Sequence, residues 1–289
     1  MSIDFPNLGI FLSYVPRSFS VFGYEVALYG VTMALGILGG LAVATFAAKK
    51  TGQDPDDYVN IALLGIVLGL LGARIYYVAF SWSYYREHPG EILNLHGGGL
   101  ALYGSLIGAI AAVLIYCRVK KLRIPLVLDT ACLGMVSGQV IGRWGNFFNR
   151  EAFGGYTNAL TAMRLPLDAV RADEVTEAMR SHEQVIGSET FIQVHPTFLY
   201  ESLWNLGVLL ILLFLTLKKK KKFDGEIFLG YLLLYGIGRF WVEGLRTDQL
   251  LIPGTSIAVS QALSLVLACG AAVLIPVLRT RRKPDQAGG

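Results

Sequence analysis

The amino-acid sequence predicts an all-α integral membrane protein with about seven transmembrane helices, and three observations carry that prediction. Hydrophobic residues make up 54% of the 289 positions and charged residues only 16%, giving a mean hydropathy of +0.52, a balance unusual in soluble domains. Seven apolar stretches approach the roughly 20 residues that a helix needs to cross a hydrocarbon layer about 30 Å thick. The lysine-rich connections all fall on one side of those spans.

The stretches lie at about 26–47, 58–80, 100–117, 126–148, 197–217, 226–246 and 256–278. The second, fourth and sixth contain charged residues. With seven alternating spans, Lys49–Lys50, Arg118 to Arg123, Lys218 to Lys222 and Arg279 to Lys283 share a face and hold 15 of the 25 basic residues. The other face has scattered arginines and no lysine. This asymmetry predicts an outside N-terminus and a cytoplasmic C-terminus. The net charge of +4 reflects anchoring against anionic lipid and does not point to nucleic acid.

Residues 1–24 are broken by Pro6 and Pro16 and lack the basic start and apolar core of a signal peptide. They are expected to lie on the outer membrane surface as an amphipathic segment. The chain, 1–289, is expected to form a single membrane-embedded domain, with residues 149–196 as a small extracytoplasmic head between the fourth and fifth spans. Cys117, Cys132 and Cys269 lie in or at the ends of apolar spans, where thiols pack as small buried hydrophobes without a disulfide framework or metal site. Gly65 and Gly69, Gly104 and Gly108, and Gly134, Gly138 and Gly142 have the small-xxx-small spacing of closely packed membrane helices.

Charges inside the spans carry the functional signal. An arginine at mid-bilayer costs roughly 2.5–3.5 kcal/mol even on the lenient insertion scale, so it faces a cavity or a partner. Arg74, Arg143 and Arg239 are the candidates; Arg74, near its helix end, is also placed to snorkel to the interface. Gln139, Arg143 and Asn146 share one face of the fourth span. Tyr235, Arg239, Glu243 and Arg246 share one face of the sixth, where Arg239 and Glu243 are spaced for an ion pair. The fifth span opens with His195–Pro196 and then places Thr197, Glu201 and Asn205 on one stripe.

Arg143 lies about 25 Å from the cytoplasmic end of its helix at about 1.5 Å per residue. Together with Tyr29, Tyr103, His195, Glu201 and Arg239, this places the polar groups in the outer half of the membrane. Guanidinium groups suit phosphates through paired donors that stay charged. The pattern therefore suggests a phosphate-headed lipid entering sideways, with a purely structural ion-pair network as the competing reading.

Residues 142–155 read Gly-Arg-Trp-Gly-Asn-Phe-Phe-Asn-Arg-Glu-Ala-Phe-Gly-Gly. This stretch resembles the signature of the phosphatidylglycerol–prolipoprotein diacylglyceryl transferase family. Leu28-Tyr29-Gly30, Gly72 to Tyr76, His195-Pro196-Thr197 with Tyr200-Glu201, and Gly238-Arg239-Phe240 with Glu243 resemble the same family in order and spacing. The resemblance implies a multi-pass enzyme of the bacterial inner membrane, functional as a monomer, with its active site toward the outer leaflet. Such an enzyme moves the diacylglyceryl group of phosphatidylglycerol to the lipobox cysteine of a prolipoprotein, forms a thioether and releases glycerol 1-phosphate. It implies catalytic roles for Arg143, Arg239, Asn146, Glu151, Glu243 and Tyr103. Substrate binding is implied for Arg143, Arg239, Tyr29, Arg74, Gly154, Arg246, His195 and Glu201.

One position departs from the pattern. Where well-studied members carry a histidine proposed as base, this chain reads Leu102-Tyr103-Gly104-Ser105. A phenol with a pKa near 10 is a poor base at neutral pH. His96, seven residues earlier, is a substitute only if it leaves the outer loop, so the base stays unassigned. The sequence has no metal-ligand constellation and no nucleotide-binding glycine loop, which predicts a transferase without cofactor. The alternatives are a transporter or scramblase of an anionic lipid using the same arginines, and a non-catalytic membrane scaffold.

Overall fold

A computed structural model of the chain describes residues 1–94 and 98–281; His96 lies outside the described residues. Strands β1 (Ile3–Phe5), β2 (Ile10–Leu12), β3 (Ser18–Val21) and β4 (Tyr24–Ala27) precede helix α1 (Leu28–Thr51). There follow α2 (Pro55–Phe80), the single turn α3 (Trp82–Tyr85), α4 (Leu102–Lys120) and α5 (Ile124–Asn149). Strand β5 (Met163–Pro166), the short α6 (Glu177–Arg180), and strands β6 (Gln184–Ile186) and β7 (Glu189–Val194) come next. Helices α7 (Thr197–Leu217), α8 (Glu226–Glu243) and α9 (Val259–Arg281) complete the order.

A long helix occupies each of the seven predicted stretches. Six of them, α1, α2, α4, α5, α7 and α9, are long and apolar enough to cross a membrane. Helix α8 is shorter, at 18 residues, and carries Glu226, Arg239 and Glu243. Composition alone therefore does not mark it as a span.

The chain divides into two compact units, residues 44–131 and residues 1–43 with 132–289. Within the first, α2 begins at a proline whose preceding Asp54 accepts a hydrogen bond from Asp56 N, a standard N-terminal cap. Helices α2 and α4 pack backbone to backbone: a Cβ added to Gly72 would clash with Gly104 O, and one added to Gly104 with Gly72 O. Only glycines permit that approach. Gly108 meets Leu68 in the same way, whereas Gly65 faces open space.

In the second unit, the Gly36 backbone on α1 meets Gly138 on α5, and Gly40 meets Gly134. The expectation of helix alone is corrected here. A five-stranded antiparallel sheet of order β2-β1-β5-β7-β6 joins the N-terminal residues to the segment between α5 and α7. Residues 1–24 thus supply strands, with β3 and β4 as a separate hairpin. Ile3 and Phe5 have a core to enter, formed with Leu165, Met179, Ile192 and Val194. That core continues onto Phe147 of α5 and Phe198 of α7, so the sheet is seated on the ends of two site-bearing helices. Cys117 and Cys132 are buried as expected, but Cys269 is exposed on the outer face of α9.

Candidate active site

Glu201 lies one turn into α7 and is buried. One of its carboxylate oxygens faces Arg143 Nε of α5 and the other accepts from Arg239 Nη1 of α8. Arg239 Nη2 lies 2.5 Å from Glu243 Oε2, one turn along α8, which is the predicted ion pair. Arg246 Nε stands 3.8 Å from the same oxygen and grips Asp248 in bidentate fashion, at 2.8 and 2.7 Å. Burial pushes Asp248 up, but its pairing with Arg246 outweighs burial and holds its carboxyl below the usual range. Ser260 Oγ of α9 donates to the second oxygen of Glu243.

Helices α5, α7 and α8 and the loop after α8 therefore contribute to one alternating chain of charge, Arg143–Glu201–Arg239–Glu243–Arg246–Asp248. Three cations face three carboxylates, which makes the bare network neutral and affordable in an apolar medium. Neutrality does not saturate it. Each guanidinium offers five N–H donors in a rigid plane, and Glu201 divides two oxygens between two of them. Donors remain for a further anion. The side chains of Arg143 and Arg239 retain 21% and 15% exposure, so they can be reached.

The signature stretch forms the end of α5 and the turn beyond it. Asn146 Nδ2 donates to Glu151 Oε1 at 3.0 Å, and Glu151 N donates back to Asn146 O at 3.1 Å. Arg171, in the segment between α5 and α7, stands 3.7 Å from the other Glu151 oxygen. Arg150 and Ala152 adopt left-handed backbone, φ 55° and 57°, a strained state for residues with a Cβ. Gly154 then passes between the chain before α7 and the end of α8: its N–H donates to His195 O at 3.0 Å, and Gly155 N donates to Leu245 O at 2.9 Å. A Cβ on Gly154 would lie 2.8 Å from His195 Cβ and 2.9 Å from Leu245 O. Only glycine lets this loop tie three helix ends together.

Tyr29, at the start of α1, packs its ring where a Cβ on Gly145 would stand. His195 Nδ1 lies 3.3 Å from the Tyr200 hydroxyl, and burial lowers its pKa. Two candidates belong to the other unit. Arg74 directs Nε to Ile92 O at 2.7 Å, Nη2 to Glu91 O at 2.7 Å and Nη1 to Gly98 O and Gly99 O at 3.1 and 2.9 Å, with its guanidinium over the Tyr85 ring. These contacts fasten a loop and occupy its donors. Tyr103 is 43% exposed at the start of α4, beside Tyr76.

The spacing argument missed Asp248 and Ser260. Asp248 is two residues beyond Arg246, outside the helix, where i,i+3 and i,i+4 rules do not reach, and Ser260 is an ordinary hydroxyl in an apolar span.

Residues 16–277 match the family model described as prolipoprotein diacylglyceryl transferase. Three curated relatives are named phosphatidylglycerol–prolipoprotein diacylglyceryl transferase. That of Clostridioides difficile (strain 630) is 41% identical over 266 residues, covering 92% of this chain and 96% of the relative. That of Lactobacillus acidophilus is 42% identical over 271 residues, covering 93% and 91%. That of Finegoldia magna is 38% identical over 257 residues, covering 89% and 93%. The chain belongs to the prolipoprotein diacylglyceryl transferase family.

Proposed function

We propose that this chain transfers the diacylglyceryl group of phosphatidylglycerol to the lipobox cysteine of a prolipoprotein, forming a thioether and releasing glycerol 1-phosphate. The observation that carries the reading is the pair of guanidiniums held on Glu201 with donors to spare. Arg143 and Arg239 take the lipid phosphate between them. Glu201 and Glu243 are positioning residues that fix the two planes, and Arg246 is fixed in turn by Asp248. As the cysteine sulfur bonds to the glyceryl carbon, the bond from that carbon to the phosphate oxygen breaks, and its electron pair leaves on glycerol 1-phosphate. The arginines stabilise the charge growing on that oxygen. The attacking sulfur is a thiolate, since a thiol near pKa 8.5 is a weak nucleophile at neutral pH, and a cationic surround favours the thiolate.

Asn146 orients Glu151, and Gly154 sets the loop that carries it. Tyr29 and His195 border the lipid, and Tyr103 donates a hydrogen bond to substrate. Arg74 is assigned to holding the loop after α3, on the strength of its four carbonyl contacts. Helix α8 is read as a seventh span, because its charges have partners on α7 and α9: Glu201 for Arg239, Ser260 for Glu243 and Arg279 for Glu226. With seven spans, the basic clusters support a reading with the N-terminus outside and with residues 149–196 as the extracytoplasmic head of one membrane-embedded domain. The enzyme works as a monomer in the bacterial inner membrane, its site open to the outer leaflet.

Mixing the purified chain with phosphatidylglycerol and a lipobox peptide tests the reading by mass spectrometry. A diacylglyceryl adduct on the cysteine is the expected product. Its absence under conditions where a working family member forms it would remove the assignment.

A further inference from the structure

Arg150 stands apart from the arginine network. It is 2% exposed, and its guanidinium meets only backbone: Nη1 donates to Phe148 O at 3.1 Å, and Nη2 to Met1 O at 3.1 Å and Val15 O at 2.5 Å. Its Nε is buried with no partner, and among the described residues no carboxylate reaches ion-pair distance. Burial and then the neighbouring Arg17 push its pKa down, while Asp168 pushes it up. A guanidinium does not shed its proton in a protein, and an uncompensated buried cation is costly. The strained backbone at this residue, φ 55°, is a second cost held in the same place.

Beside it opens a cavity of about 280 Å³ lined by Arg17, Arg150, Glu151, Asp168 and Arg171. Three cations face two carboxylates there, and Arg171 is engaged by Glu151 and Glu174. Arg17 reaches across to donate to Ala169 O, which leaves its other donors at the cavity wall. We infer that this cavity in the head binds a small phosphate anion, with Arg150 and Arg17 as its cationic partners. Planar donors from two separate segments suit an anion with several oxygens, and the volume admits a phosphate carrying a three-carbon substituent. Naming glycerol 1-phosphate as that occupant rests on the proposed reaction, which releases it; binding of a phosphate does not.

Hydrogen exchange of the full chain, read by mass spectrometry, tests this. The probes are glycerol 1-phosphate and inorganic phosphate added to the protein in detergent, and phosphatidylglycerol supplied in nanodiscs. Slower exchange at residues 149–151 and 167–171 is expected with glycerol 1-phosphate. Arg17→Gln raises the half-saturating concentration roughly tenfold or more, the worth of a charged hydrogen bond, and Asp168→Asn lowers it. Arg239→Ala, which disables the proposed transfer, leaves this protection intact, so the two assignments fail separately. Protection by the nanodisc lipid alone supports the phosphate site with a headgroup as its source. No protection with any of the three, or protection indifferent to the Arg17 and Asp168 changes, overturns the inference.

Discussion

Arg143 and Arg239 lie far apart in the chain, yet they are held against opposite oxygens of a single carboxylate, that of Glu201. One acidic side chain thereby sets the separation and tilt of two cations. In an apolar surround the arrangement is stable only as a unit, because removing one member strands the others.

Glu201→Gln keeps the size of the side chain and removes its charge. Arg143 and Arg239 then repel each other and lose their common reference. A misplacement on the order of 1 Å costs about a hundredfold in rate, and kcat for transfer is expected to fall by about that factor. Steady-state kinetics with lipid and peptide varied separately would show this, and an unchanged kcat would remove Glu201 from the positioning role.

Gly154→Ala places a methyl group against His195 Cβ and Leu245 O. Overpacking of this kind costs typically about 1–3 kcal/mol, and here it also pushes the Glu151 loop away from α7 and α8. Lower thermal stability in detergent together with strongly reduced transfer is the expected outcome. A variant with native stability and native rate would show that the loop tolerates displacement.

Tyr103→Phe leaves the ring beside Tyr76 and removes only the hydroxyl. One neutral hydrogen bond is worth about 0.5–1.5 kcal/mol, so transfer is expected to slow by a few-fold to about tenfold and to persist. A complete loss of turnover with lipid binding intact would give the phenol a chemical role.

The helices and the site were legible to different degrees. Apolar run length marked the position of every long helix, because such a run is a continuous local signal, although in α8 Glu226, Arg239 and Glu243 interrupt it and composition alone does not make that helix a span. Helical spacing found Arg239 with Glu243 and placed Glu201 on a polar stripe, since residues four apart share a face. It did not reveal that Glu201 meets Arg143 as well as Arg239, which depends on how three helices pack. Nor did it find the sheet: β1 and β2 have three residues each, too short for a period-two pattern, and the pairing that ties them to the rest of the sheet joins Asp4 of β1 to Arg164 of β5, far away in the chain. The charge of Arg74 inside an apolar stretch demands a partner, and the family resemblance adds substrate binding as its role. Backbone carbonyls of the next loop satisfy that demand, and no sequence pattern announces them.

In the proposed function Arg143 and Arg239 together grip the lipid phosphate. The most direct test is the diacylglyceryl transfer rate of Arg143→Ala and Arg239→Ala, measured beside wild type on protein shown to be inserted and folded. Loss of a preorganised charge-stabilising donor costs about 10²–10³-fold in kcat, and each variant is expected to fall at least that far. Wild-type turnover in either one would show that the phosphate is held elsewhere.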